Sequence, residues 1–85
     1  MMLRVKVRYF ASLREALGAV EQVELPEGAT LGLLRDRLIA GDERHGEALA
    51  RHKAVRCARN QVMSDEHAPL ADGDEVAFFP PVTGG

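Results

Sequence analysis

A chain of 85 residues with 46% hydrophobic content and a formal net charge of −2 has room for one domain with a simple core, burying roughly 60% of the surface its unfolded form exposes. Lys and Arg are dispersed among Asp and Glu, which excludes the basic stripe that neutralises phosphates and sets nucleic acid aside as a partner. The single cysteine, Cys57, excludes an internal disulfide, and no apolar run reaches the ~18 residues of a membrane span or precedes a small-residue cleavage site, so a soluble cytoplasmic protein is expected.

Leu3 to Tyr9 alternates, with Leu3, Val5, Val7 and Tyr9 on one side and Arg4, Lys6 and Arg8 on the other, which predicts a half-buried strand. Ala11 to Leu17 fits a short helix: Leu13 and Leu17 lie four apart and Gly18 follows where a left-handed residue is wanted. Val20 to Leu25 reads as a second strand, Val23 and Leu25 sharing a face between Glu21 and Glu24, until Pro26, Glu27 and Gly28 stop it. The two strands are expected to form a hairpin.

Thr30 is a candidate N-cap for the main helix, in which Leu31, Leu34 and Leu38 fall at helical spacing and Arg35, Asp36 and Arg37 take other positions. Gly41 ends it. Gly46 to His52 predicts a further turn or two of helix, Ala54 to Arg59 a strand and Asn60-Gln61 a turn. Ala71-Asp72-Gly73-Asp74 is a strong turn signal, and Glu75 to Phe79 is a last strand with Val76 and Phe78 alternating. The order strand, strand, helix, strand, strand points to an α+β fold: a mixed sheet with the main helix across one face and the first and last strands parallel at its centre.

Residues 1–79 are therefore expected to form the domain and residues 80–85 a flexible tail. In that tail Pro80 and Pro81 favour an extended conformation, and Gly84 and Gly85 lack the side chains that would block a narrow channel. The reactive group is expected to be the C-terminal carboxylate of Gly85, an anion at neutral pH and a poor electrophile until it is converted to an activated acyl group, as adenylation by ATP would do. A sulfur nucleophile attacking that acyl-adenylate would leave a thiocarboxylate. The competing explanation of a terminal Gly-Gly is a frayed end.

The run from Asp72 to Gly85, DGDEVAFFPPVTGG, closely resembles the C-terminus of the ubiquitin-like sulfur-carrier family to which molybdopterin synthase small subunits belong, and Val7 to Leu17, VRYFASLREAL, extends the likeness. Gly41 to Lys53 carries no matching motif. The resemblance implies a ubiquitin-like β-grasp fold and a carrier that is not catalytic alone and binds no cofactor or metal. It implies a separate ATP-dependent adenylating enzyme acting on Gly85, a sulfur donor enzyme that supplies the thiocarboxylate sulfur, and insertion of Pro80, Pro81, Val82, Thr83 and Gly84 into a large subunit. There, by the same resemblance, sulfur passes to cyclic pyranopterin monophosphate, the pterin substrate held by the large subunit, to build the molybdopterin dithiolene of the molybdenum cofactor. Phe10, Met63 and Phe79 match apolar positions of the partner interface, and Arg14 a charged position near it. Phe10 and Phe79 also fit an ordinary core or sheet-face role, and Arg14 a solvated helix position. A carrier for thiamine synthesis or transfer-RNA thiolation, or a ubiquitin-like modifier joined to lysines, shares the diglycine ending and stays open as an alternative.

Other residues are read as structural. Cys57 alternates with Val55 and is expected to be buried and inert. His45, His52 and His67 lack zinc-ligand spacing and are expected at the surface. Asp65, Glu66, Asp72, Asp74 and Glu75 are expected to be solvated turn charges.

Overall fold

The computed structural model describes residues 2–81. The chain runs β1 (Met2–Tyr9), α1 (Ala11–Leu17), β2 (Val20–Pro26), α2 (Leu31–Gly41), α3 (Glu43–Ala48), β3 (Arg56–Arg59), β4 (Val62–Ser64) and β5 (Glu75–Phe79). One sheet holds the strands in the order β2-β1-β5-β3-β4. β1 pairs antiparallel with β2 and parallel with β5, so the first and last strands lie side by side, as the element order predicts.

Strict alternation gives the sheet one buried face. Leu3, Val5, Val7 and Tyr9 of β1, Leu25 of β2, Cys57 of β3, and Val76 and Phe78 of β5 point inward. Against them pack Leu13 of α1, Leu31, Leu34 and Leu38 of α2, and Leu49 just beyond α3. Each of these side chains contributes roughly 1.5–3 kcal/mol by leaving water, less what the unfolded chain already buries. Thr30 caps α2 as expected, its Oγ1 accepting from the N–H of Leu33 at 3.2 Å. The next free N–H groups, of Leu31 and Gly32, donate to the carbonyls of Ala68 and Glu66. Gly32 eases that approach, because a Cβ would stand 3.2 Å from the Glu66 carbonyl oxygen and the neighbouring backbone would have to shift by a few tenths of an ångström.

Arg35 departs from its expected place on the polar side of α2: it is only 4% exposed. Its Nε donates to the Leu49 carbonyl at 2.8 Å, Nη2 to the carbonyls of Ala50 and Lys53 at 2.7 and 3.0 Å, and Nη1 to Glu66 at 2.8 Å. One guanidinium thus satisfies the backbone of the irregular segment after α3 and ties it to the segment before Leu70. Arg51 closes the cluster from outside, pairing with Asp36 and with Glu66. Glu66 is accordingly held below the usual carboxylate range: its partial burial works the other way, but hydrogen bonds from Arg51 and Arg35 outweigh it.

Three expected boundaries move, and a strand is added. α3 begins at Glu43, upstream of Gly46, because Asp42 accepts from the His45 N–H at 2.7 Å and starts a turn there. Gly46 falls inside α3, where a Cβ would meet the Ile39 carbonyl oxygen at 3.1 Å. The helix stops at Ala48, short of His52, and β3 starts at Arg56 rather than Ala54, because the carbonyls between them serve Arg35. β4 completes the sheet as its fifth strand, three residues too short to show a period of two.

Replacing Arg35 by Met keeps most of its volume but strands three carbonyls, so Arg35→Met is expected to cost about 3–5 kcal/mol. For a domain of this size that lowers the thermal midpoint by more than about 10 °C, measurable by circular dichroism. Arg35→Lys should recover little, since one ammonium cannot reproduce the planar fork.

Candidate functional site

The outward side of the sheet carries three of the four residues that the family resemblance marks as partner contacts. In β5, Val76 and Phe78 are buried while Glu75, Ala77 and Phe79 face the other way. At the end of β1 the same alternation turns Tyr9 inward and Phe10 outward, and the Phe10 N–H donates to the Phe78 carbonyl at 3.2 Å. The parallel pairing therefore brings Phe10 beside Phe79. Their rings stack with centroids 4.8 Å apart and planes 14° from parallel.

Met63, 57% exposed, lies across from Ala58, which pairs in turn with Ala77. The two alanines form a low floor, and the larger side chains rise around it. The resulting depression, about 290 Å³, is lined by Arg8, Phe10, Ala58, Gln61, Met63, Glu75, Ala77 and Phe79. Phe10, Met63 and Phe79 are thus brought together. Arg14 is not among the lining residues; it is exposed on α1, one turn beyond Phe10.

Beyond Phe79 the chain leaves the sheet through Pro80, half-buried, and Pro81, exposed. Both prolines border a second groove of about 530 Å³ between α1 and α3, with Leu13, Ala16 and Ala48 in its wall. The tail residues Val82, Thr83, Gly84 and Gly85, to which the sequence assigns the chemistry, lie outside the described residues.

The turn before β5 fixes this face in register. Asp72 Oδ1 accepts from the Arg4 N–H at 2.8 Å, and the Arg4 carbonyl accepts from the Gly73 N–H at 2.8 Å. Asp74 is not a solvated charge: at 7% exposure it accepts from Arg59 Nε, Asn60 Nδ2 and the Ala71 N–H. Burial tends to raise its pKa, but those donors outweigh it and hold the carboxyl below its ordinary range.

His45 also departs from its expected surface position. Its ring sits between Glu21 Oε2, 2.7 Å from Nε2, and Asp42 Oδ1, 2.8 Å from Nδ1, while Tyr9 Oη donates to the same Glu21 oxygen at 2.8 Å. This chain of contacts joins β1, β2 and α3. Burial opposes protonation of His45, but hydrogen bonds to Glu21 and Asp42 prevail and raise its pKa. Burial first, and then Glu21, raise the pKa of the Tyr9 hydroxyl. The sequence held a signal for the cluster: Glu21 shares the parity of Val23 and Leu25, and Asp42 precedes His45 by three.

Cys57 is buried as expected, and burial pushes its thiol pKa up. Its Sγ donates to the Ser64 carbonyl at 3.4 Å. Among the described residues no group of three His, Cys, Asp or Glu is placed to hold a metal ion, and no helix is long and apolar enough to cross a membrane.

A helix packed across a mixed sheet whose first and last strands pair in parallel, with an aromatic face where the C-terminal segment departs, defines a ubiquitin-like β-grasp protein. Residues 7–85 match the ThiS family, and the chain belongs to that family. It is 41% identical over 81 residues to the molybdopterin synthase sulfur carrier subunit of Escherichia coli, covering 95% of this chain and 99% of that one. Among solved structures it resembles SAMP1 from Haloferax volcanii, with 28% identity, a TM-score of 0.77 and coverage of 96% and 99% of the two chains. A protein–protein complex of subunits 1 and 2 of molybdopterin-converting factor from Helicobacter pylori matches with 31% identity, a TM-score of 0.62 and full coverage of both chains.

Because folding raises the His45 pKa above its ordinary value of 6.5, the Glu21–His45–Asp42 latch is fully stabilising below that pH and weakens as pH rises through the folded value. Urea midpoints measured from about pH 6 to pH 9 should therefore fall more steeply in the wild type than in His45→Gln. Asp42, whose pKa is lowered, works in the opposite sense: its contribution is complete above 3.8 and is lost as pH falls from there through the lower folded value.

Proposed function

We propose that this chain is the sulfur-carrier subunit of a cytoplasmic molybdopterin synthase, with the C-terminal acyl group of Gly85 as its reagent and the folded domain as its handle. The observation that carries this reading is the uncovered Phe10–Phe79 stack at the point where the sequence FFPPVTGG leaves the sheet. Apolar side chains of this size seldom gather on a surface without a partner. Family membership, and likeness to a carrier and to a two-subunit complex, support a large subunit as that partner.

The chemistry follows from the carboxylate. On an ATP-dependent activating enzyme, an oxygen of the Gly85 carboxylate attacks the α-phosphorus of ATP and displaces pyrophosphate. Hydrosulfide released by a donor enzyme then attacks the acyl carbon and expels AMP, leaving a thiocarboxylate. Docked on the large subunit through Phe10, Met63 and Phe79, with Arg14 beside them, the carrier would thread Pro80 to Gly84 toward the pterin and give up that sulfur, returning to the carboxylate on hydrolysis. ATP and cyclic pyranopterin monophosphate bind the partner proteins rather than this chain. Cys57 has no part in the transfer, because a buried thiol is neither ionised nor accessible.

Mass spectrometry of the chain after incubation with the activating enzyme, ATP and a sulfur source should show one terminal oxygen replaced by sulfur, in Cys57→Ala as in wild type. A terminus that stays a carboxylate under those conditions overturns the proposal. Gly84→Val, or one residue added after Gly85, should abolish transfer without moving the unfolding midpoint, since reach and access are altered and packing is not. A second reading, in which the activated Gly85 is joined to protein lysines, is favoured by the likeness to SAMP1, a small archaeal modifier protein. Higher-mass conjugates that vanish when Gly85 is deleted would favour it.

A further inference from the structure

The turn between β3 and β4 is built from the wrong residue. Arg59 pairs with Val62, leaving Asn60 and Gln61 as a two-residue loop with φ of 48° and 70°. Both central positions are left-handed, a turn that strongly favours Asn or Asp followed by Gly. Asn60 suits its place: its N–H donates to the Glu75 carbonyl at 2.8 Å, its Nδ2 to Asp74 at 3.0 Å, and its Oδ1 accepts from the Glu75 N–H at 3.0 Å. Gln61 has no such compensation. It is exposed, and its carboxamide makes no hydrogen bond among the described residues.

What Gln61 does is line the depression that holds Phe10, Met63 and Phe79. Of the three left-handed residues other than glycine among the described residues, Ala11, Asn60 and Gln61, Gln61 alone lines it. A strained backbone position that lines a surface depression, with its side chain unpaired, marks a place where side-chain presentation outweighs local stability. A carboxamide offers one acceptor and two donors without charge, the set that complements a peptide group.

We propose that Gln61 is a specificity-determining contact of the docking face, its carboxamide hydrogen-bonding a backbone peptide group of the large subunit at the rim of the apolar patch. This rests on the sulfur-carrier reading above. Gln61→Gly relieves the turn and should raise the thermal midpoint of the free chain, whereas Gln61→Ala keeps the left-handed strain and should leave it near the wild-type value. Calorimetric titration into purified large subunit should nevertheless show both variants binding about three- to tenfold more weakly, the range expected for one net hydrogen bond. In sulfur-transfer assays the KM for the carrier should rise while kcat holds.

Phe79→Ala, titrated in parallel, separates the two levels. If Phe79→Ala weakens binding while Gln61→Gly and Gln61→Ala bind as the wild type does, Gln61 is merely a tolerated turn residue and this inference is overturned. If Phe79→Ala also binds like the wild type, the docking face itself is wrong, and the inference falls with it.

Discussion

The parallel pairing of β1 with β5 is the constraint on which the remaining structure depends. It joins the first and last strands within one sheet, and the helices between them pack across the inner face to make that possible. The same pairing aligns Val7 with Val76 and Tyr9 with Phe78 in the core. One step further along both strands it sets Phe10 against Phe79 on the opposite side. Core and aromatic outer face are therefore consequences of a single register, and the point at which the chain departs is fixed relative to both.

Much of this was legible in the sequence because it rests on periodicity. The alternation of β1, the leucine spacing of α2, the Thr30 cap and the turn ahead of β5 each depend on a few neighbouring residues, and each is found where the pattern puts it. The partner positions Phe10, Met63 and Phe79 came instead from resemblance to a family. Alternation alone put Phe78 and Phe79 on opposite faces without saying which was covered, and the β1 pairing decides that.

What could not be read were polar groups whose partners are distant in sequence. Arg35 looks like a solvated helix residue until the carbonyls of Leu49, Ala50 and Lys53 are brought against it. His45 and Glu21 are 24 positions apart, and their contact needs α3 laid across the start of β2. Asp74 reads as one more turn acid, yet its carboxylate gathers donors from β3, from the following turn and from its own loop. Short elements were lost for a related reason: β4 exists through its neighbour β3, and three residues hold too little pattern to announce it.

The adjacent phenylalanines leave the frame of β5 weakly marked by hydrophobicity at its C-terminal end, although Val76 still marks it further back. If the strand advanced by one place, Phe79 would enter the core where Phe78 sits and still fill it with an aromatic ring, so burial discriminates weakly at that point. Discrimination falls to the opposite end of the strand, where Asp72 and Asp74 are pinned to Arg4, Arg59 and Asn60. These carboxylates set the register of β5 and, with it, the residue at which the chain leaves the sheet, so they act as its ruler.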